Sequence, residues 1–193
     1  LDLAGPAIRL HRCVAAATWI VAARVLEGLD LDGSYFNASI GVLFLENLFN
    51  ARLESCDFFA GVDLSKLTGW TPEQLLASSE SLAEQLAGFN NVGTPPAASI
   101  CIRGRFVTGC TISDCRFLAG FGVAITRPAV VSFGANVYSV SHTAIFLVSA
   151  EQVTITSDRL GGIVAGEQGG IYGIQVLSGT LTSVTDCVFD RFI

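Results

Sequence analysis

The feature that most constrains this chain is a repeat of about 22 residues that recurs along nearly its whole length. Its copies are marked by seven small or polar residues, which we call the anchors: Cys13, Ser34, Cys56, Cys115, Asn136, Asp158 and Cys187. Successive anchors lie 21, 22, 59, 21, 22 and 29 residues apart, so two of the intervals contain additional residues. A fixed period of this length is typical of proteins built from one repeated structural unit.

The residues around each anchor alternate between apolar and polar. The position three before the anchor is apolar in every copy: Leu10, Leu31, Leu53, Ile112, Phe133, Ile155 and Val184. The positions two and four before it are polar in nearly every copy. The position two after it is apolar, and aromatic in most copies: Ala15, Phe36, Phe58, Phe117, Tyr138, Leu160 and Phe189. Alternation with a period of two predicts a β-strand with one buried and one exposed face.

One clear strand per repeat predicts parallel pairing, because an array of hairpins would place a turn about every 8–12 residues. Each repeat must return above its starting point, so that equivalent residues stack about 4.8 Å apart. We therefore expect an internal aromatic stack, and a ladder of anchors at a bend. A second strand is predicted by four further apolar segments: Trp19–Val21, Ser39–Val42, Gly122–Ile125 and Ala144–Leu147.

These units resemble the right-handed parallel β-helix proteins, the pectin-lyase-like superfamily. Ile112–Phe117 and Val184–Phe189 carry the resemblance, because their order of residues is similar to that family's strand-and-bend unit. It implies an all-β solenoid, a right-handed parallel β-helix of about seven coils, on which many unrelated activities are found. A pentapeptide-repeat solenoid is the alternative. It is suggested by Ala51–Leu64, but its five-residue step fails at Asp63.

The sequence predicts a single domain over residues 1–193, interrupted once. The coils are expected at about 8–66 and 98–193, and a helical insertion at about 67–97. The helix is predicted because Thr71-Pro72 is a typical helix start and leucines follow at near-helical spacing.

The two ends of the repeat pattern form a separate expectation. The pattern already runs at Ile8 and still runs at Phe189. A solenoid that stops there exposes its core and an unpaired strand edge. We therefore expect this chain to be a segment of a longer protein, or its ends to be capped by further domains or partner subunits.

Composition excludes several classes of protein. Hydrophobic residues make up 51% of the chain and charged residues 15%, so the chain does not have the composition of a disordered protein. The longest apolar stretch, Cys13–Ala23, is far shorter than the roughly 20 residues of a transmembrane helix, so no membrane span is expected. The net charge is −6 and Lys66 is the only lysine, which argues against nucleic acid as a partner.

The six cysteines favour packing over metal binding or disulfides. Four of them are anchors, where Ser34, Asn136 and Asp158 take the same place. No CxxC motif or Cys/His cluster is present, so no metal site is expected, and no glycine-rich phosphate loop or haem motif predicts a cofactor. Free thiols and the lack of a visible secretory signal favour a cytoplasmic location.

The exposed positions of coils one to three carry charges. One row contains Arg9, Asp30 and Arg52, and the next contains His11, Asp32 and Glu54. Stacking places Asp32 beside Glu54, as a candidate acid and base, with Asp30 and His11 near them and the two arginines as binding residues. The alternative is charge alternation on a solvated sheet.

The exposed positions of coils four to seven carry hydroxyl groups instead. The candidate binding residues are Thr111, Ser113, Thr154, Thr156, Ser183 and Thr185. Such an array suits a glycan, and the alternative is simple strand propensity on an exposed face. Outside these rows, Arg103 and Arg105 flank Gly104 and are candidates for an acidic group.

Two functions remain. The first is a non-catalytic structural or recognition module of a larger protein, which binds a polysaccharide or another protein along its flat Ser/Thr-rich face. The second is a polysaccharide lyase or glycoside hydrolase that uses Asp32 and Glu54. Two catalytic patterns of the resembled family are missing: an Asn-Thr-Asp followed by an Asp-Asp pair, and the second arginine that would accompany Arg127-Pro128.

Overall fold

The structure is a computed structural model that describes residues 2–5, 7–61, 96, 98–162, 172–190 and 192. These residues are all-β, and they contain no helix. The strands are β1 (Asp2–Gly5), β2 (Ile8–His11), β3 (Val14–Leu26), β4 (Leu29–Asp32), β5 (Tyr35–Phe49), β6 (Ala51–Glu54), β7 (Asp57–Ala60), β8 (Ile100–Ser113), β9 (Arg116–Gly134), β10 (Val137–Thr156), β11 (Arg159–Gly162), β12 (Tyr172–Thr185) and β13 (Val188–Asp190). The predicted helix start at Thr71 and the leucines after it lie outside the described residues.

Equivalent residues of successive repeats pair in parallel, and they form three ladders. Ladder 1 contains residues 8–11, 29–32, 51–54, 111–113, 132–134, 154–156 and 183–185. Ladder 2 contains residues 14–17, 35–38, 57–60, 116–119, 137–140, 159–162 and 188–190. Ladder 3 contains residues 2–5, 19–26, 41–49, 100–108, 121–129, 143–151 and 172–179.

The register of ladder 1 confirms the alignment of the seven copies. Arg9 pairs with Asp30, Asp30 with Arg52, and Arg52 with Thr111, and the row continues through Ser132, Thr154 and Ser183. The predicted second strand corresponds to ladder 3. Ladder 2 adds a third strand segment to each repeat, which the sequence did not predict as a strand.

The core lies inside these ladders. The residues three before the anchors are fully buried in the inner repeats, and the predicted aromatic stack is present. The rings of Phe36, Phe58, Phe117 and Tyr138 are nearly parallel, with successive centroids 5.5, 5.3 and 4.7 Å apart. Stacked pairs of this kind contribute about 0.5–1.5 kcal/mol beyond the area they bury.

A repeated bend separates ladder 1 from ladder 2. The residue before every anchor is left-handed, with φ between 49° and 59°: Arg12, Gly33, Ser55, Asp114, Ala135, Ser157 and Asp186. In the first six of them the N–H donates to a carbonyl of the next repeat, as Arg12 does to Asp32 at 2.9 Å. These hydrogen bonds offset the cost of a left-handed residue, which is about 1–2 kcal/mol without glycine.

Small or polar anchors are needed because they satisfy backbone groups at this bend. Ser34 Oγ accepts from the Cys13 N–H at 3.0 Å, Asn136 Oδ1 from the Cys115 N–H at 3.0 Å, and Asp158 Oδ1 from the Asn136 N–H at 2.8 Å. The cysteines act differently, since the Cys115 thiol donates to a carbonyl two residues earlier at 3.2 Å. All six cysteines are free thiols.

Candidate functional site

The charged rows of ladder 1 are joined by ion pairs at the surface. Arg9 Nε lies 2.8 Å from Asp30 Oδ2, and His11 Nδ1 lies 2.7 Å from Asp32 Oδ2. These two pairs link the first repeat to the second. Arg52 instead pairs with Glu54 of its own strand, β6.

The structure brings Asp32 and Glu54 into register on neighbouring strands, as expected. It engages the two carboxylates with separate partners, however, one with His11 and the other with Arg52. Both carboxylates are partly exposed, and exposed ion pairs stabilise a protein by only about 0–1 kcal/mol. The arrangement is that of a solvated charged face in which each acidic side chain contacts a different basic side chain.

A shallow depression of about 450 Å³ lies beside these rows. Arg9, Asp30 and Arg52 line it, together with Ala7, Ile8, Gly28, Leu29 and Asn50. Asp30 Oδ1 is buried and has no hydrogen-bond partner, while Oδ2 of the same carboxylate pairs with Arg9. The depression is therefore lined by one carboxyl group and two arginine side chains, and the unpaired oxygen of that carboxyl group is buried.

The hydroxyl groups of ladder 1 form one complete row and one row that Gly134 interrupts between Ser113 and Thr156. Ser132 Oγ donates to Thr111 Oγ1 of the preceding repeat at 3.2 Å, and Thr185 Oγ1 donates to Thr156 Oγ1 at 3.4 Å. Thr111 and Thr185 are exposed, and Ser113, Thr154, Thr156 and Ser183 are half-buried. A hydroxyl has one donor and two acceptor positions, so each group retains capacity for a ligand.

Sequence reasoning missed one buried acid, Asp57, and placed a second, Asp158, in the anchor ladder without assigning it a chemical role. Asp57, in ladder 2, pairs with Arg116 of the next repeat; burial raises the pKa of Asp57, and Arg116 opposes that shift. Burial also raises the pKa of Asp158 to about 6, against the effect of the hydrogen bonds from Asn136. The repeat register would have paired Asp57 with Arg116, but the insertion separates them by 59 residues.

A third group was only half recognised. Arg103 and Arg105 were singled out, but Arg127 and Phe106 belong to the same cluster on ladder 3. Phe106 and Arg127 occupy equivalent positions of neighbouring repeats, 21 residues apart. The repeat period alone would therefore have placed Arg127 beside Phe106.

Comparisons with protein-family models, with curated proteins and with solved structures found no match to this chain. Across the described ranges, no group of three or more His, Cys, Asp or Glu side chains is arranged to hold a metal ion. None of the described residues forms a helix long and apolar enough to cross a membrane.

Proposed function

We propose that the chain is a right-handed parallel β-helix of seven coils. The support is that all three ladders are parallel and that pairing partners lie one repeat apart. Right-handedness is inferred from the general rule for parallel strands, of which about 98% are connected by right-handed crossovers. The anchors then form one edge of the coil.

We propose that this fold serves as a non-catalytic recognition module of a larger protein, and that ladder 1 binds a polysaccharide. The observation that carries the proposal is the pair of hydroxyl rows. One row is complete over four repeats, with Thr111, Ser132, Thr154 and Ser183, and the other contains Ser113, Thr156 and Thr185 and is interrupted by Gly134. The charges on the same ladder are engaged with one another, which leaves the hydroxyl groups as the available donors and acceptors.

A periodic surface suits a periodic ligand. Equivalent hydroxyl groups recur about every 4.8 Å along the stack, and the two rows lie about 7 Å apart across it. Each neutral hydrogen bond contributes about 0.5–1.5 kcal/mol, so binding requires several contacts at once. A polymer of hydroxylated units supplies them, whereas a single small molecule would contact only one or two repeats.

Replacement of the central hydroxyl groups tests this proposal. We expect the double variant Thr154→Val and Thr156→Val to bind neutral polysaccharides at least tenfold more weakly in affinity gel electrophoresis, because valine keeps the shape but removes the hydrogen bonds. Thr126→Val, on ladder 3, is the matched control and is expected to bind like the wild type. Equal binding by the double variant, or binding to immobilised proteins alone, would overturn the proposal.

The same panel separates recognition from catalysis. The reaction mixtures are assayed for new reducing ends and for unsaturated products. If the wild-type chain forms product and Asp32→Asn does not, the function is that of a polysaccharide lyase or hydrolase and not that of a recognition module.

A further inference from the structure

A cluster of basic side chains lies on ladder 3, on a different face from the hydroxyl rows. Arg103 and Arg105 are exposed on the same side of β8, and Arg127 is exposed in the next repeat. The guanidinium carbons of Arg105 and Arg127 lie 4.9 and 5.1 Å from the centroid of the Phe106 ring. We call Arg103, Arg105, Phe106 and Arg127 the basic cluster.

The arginines of the basic cluster differ from the paired arginines of ladders 1 and 2 in having no acidic partner among the described residues. Among the described residues none of the three forms an ion pair, although Glu46 is the register partner of Arg105. By contrast, Arg9, Arg52 and Arg116 each contact a carboxylate. Two like charges that share one ring repel each other, and an anion placed between them removes that repulsion.

Phe106 holds two of these guanidinium groups in place. It occupies a left-handed corner position with φ 54, which a bulky residue rarely adopts, and the equivalent residues Asn47 and Ser149 are polar. A guanidinium that contacts an aromatic face keeps its in-plane N–H groups available as donors. The ring therefore positions two guanidinium groups at the surface, each with paired N–H donors.

We propose that the basic cluster binds the acidic groups, carboxylate or sulfate, of a polysaccharide. This inference rests on the proposed function and adds an acidic glycan as the ligand class. Arginine donates two parallel hydrogen bonds to a planar carboxylate or to two sulfate oxygens, which gives geometric selectivity. The side chains of Arg103 and Arg105 leave one strand about 7 Å apart, so they can hold two separate acidic groups.

Nucleic acid fits the basic cluster less well. Duplex DNA has one charge about every 1.7 Å, and typical complexes neutralise roughly 6–10 phosphates. Three arginines on a chain of net charge −6 match the sparser charge of an acidic polysaccharide. Single-stranded DNA is the competing ligand in the test, because its charges are more widely spaced than those of the duplex.

The test compares four probes at low ionic strength: polygalacturonate, dextran sulfate, unmodified dextran and single-stranded DNA. We expect one or both acidic polysaccharides to bind, and the double variant Arg105→Gln and Arg127→Gln to bind them at least tenfold more weakly. Arg105→Lys, which keeps the charge but loses the fork, should fall between these two. Arg12→Gln, at an exposed arginine of another bend, is compared with the single variant Arg105→Gln, because each removes one positive charge. Unchanged circular dichroism and melting temperature confirm that each variant is folded.

The outcomes separate this inference from the proposed function. Equal binding of acidic polysaccharide by the wild type and the double variant refutes the basic cluster as a site, whatever Thr154→Val and Thr156→Val do. Tighter binding of DNA than of either acidic polysaccharide refutes the ligand class. If acidic polymers bind through the arginines while the valine variants lose nothing, the basic cluster is supported and the hydroxyl face is not.

Discussion

At the scale of single residues, the polar anchors are both structural and titratable. Asp158 lies in the anchor ladder with its side chain fully buried. Its Oδ1 accepts two hydrogen bonds from Asn136, and its carboxyl group lies beside the buried hydroxyl of Tyr138. The Tyr138 hydroxyl is a donor and, like the hydrogen bonds from Asn136, favours the carboxylate, but burial outweighs these effects and favours the neutral acid.

Asp158 should therefore make folding pH-dependent. Its pKa is about 6 in the folded chain against 3.8 for the ordinary group, so the folded state holds the proton more tightly. The protonated side chain stabilises the folded state by up to about 3 kcal/mol. This stabilisation is fully present below about pH 4 and is lost as the pH rises through 6. Tyr138 and Cys187 are the other titratable groups near it. We expect Asp158→Asn to reduce the dependence of urea stability on pH between 4 and 7.

The exposed Asp114 supplies the control for that experiment. Asp114→Asn removes a carboxyl group at an equivalent bend, and it should leave the pH dependence of the wild type unchanged. A wild-type chain whose unfolding free energy does not fall between pH 4 and 7 would contradict the assignment to Asp158.

The buried ion pair of Asp57 and Arg116 gives a second prediction at this scale. Removal of one partner of a buried pair costs about 3–5 kcal/mol, because the other charge is left uncompensated. We expect Arg116→Met to destabilise the chain by about 3 kcal/mol at pH 7. The loss should shrink toward pH 4, because burial already raises the pKa of Asp57 and the unpaired acid takes up a proton.

The double variant Arg116→Met and Asp57→Asn checks the cause. It should recover much of the stability lost at pH 7, measured by urea unfolding. A double variant as unstable as Arg116→Met would show that the loss comes from other contacts of the arginine.

At the scale of the elements, what the sequence predicted depended on how strictly each position is constrained. Ladder 1 was predicted residue by residue, because its inward and outward positions alternate in all seven copies. Ladder 2 was not recognised as a strand, since the position directly after the anchor varies from Tyr35 to Asp57 to Arg116. The corner between ladders 3 and 1 was also hidden, because residues such as Phe106 and Val130 rarely adopt a left-handed conformation.

The candidate sites followed the same division. The charged and hydroxyl rows were predicted because they belong to ladder 1. The separate ion pairs of Asp32 and Glu54 were not, because a pattern of positions does not decide which of several neighbours a flexible side chain contacts.

The aromatic stack provides a test of the repeat as an element. Phe58 is fully buried in an inner repeat, whereas Phe189 occupies the same row of the last repeat and is 52% exposed. We expect Phe58→Ala to cost about 3–5 kcal/mol, because it leaves a cavity between two rings, and Phe189→Ala to cost less than about 1 kcal/mol. Thermal and urea unfolding of the two variants measure the difference. Similar losses at the two positions would contradict a core that ends at the last repeat.

At the scale of the whole molecule, the last repeat leaves part of its core uncovered. In the inner repeats, the residues of the two inward rows, which begin with Leu31 and Phe36, are 0–1% exposed. Val184 and Phe189 occupy the same rows in the last repeat, and they are 41% and 52% exposed. The ring of Phe192 packs edge-on against Phe189 and covers only part of it. Among the described strands, β12 pairs only with β10 and β13 only with β11, so each has one edge without a partner strand beside these side chains.

Such an edge predicts association. Unpaired parallel strands beside exposed apolar side chains bind further strands unless a charge prevents it. We expect the chain to associate with rising concentration in sedimentation velocity, and Val184→Lys with Phe189→Lys to shift it toward the monomer. Val130→Lys, which places a lysine at an equally exposed apolar position on another corner, should associate like the wild type. A wild-type chain that stays monomeric across the concentration range would show that this end needs no partner, and the expectation of capping subunits would fail.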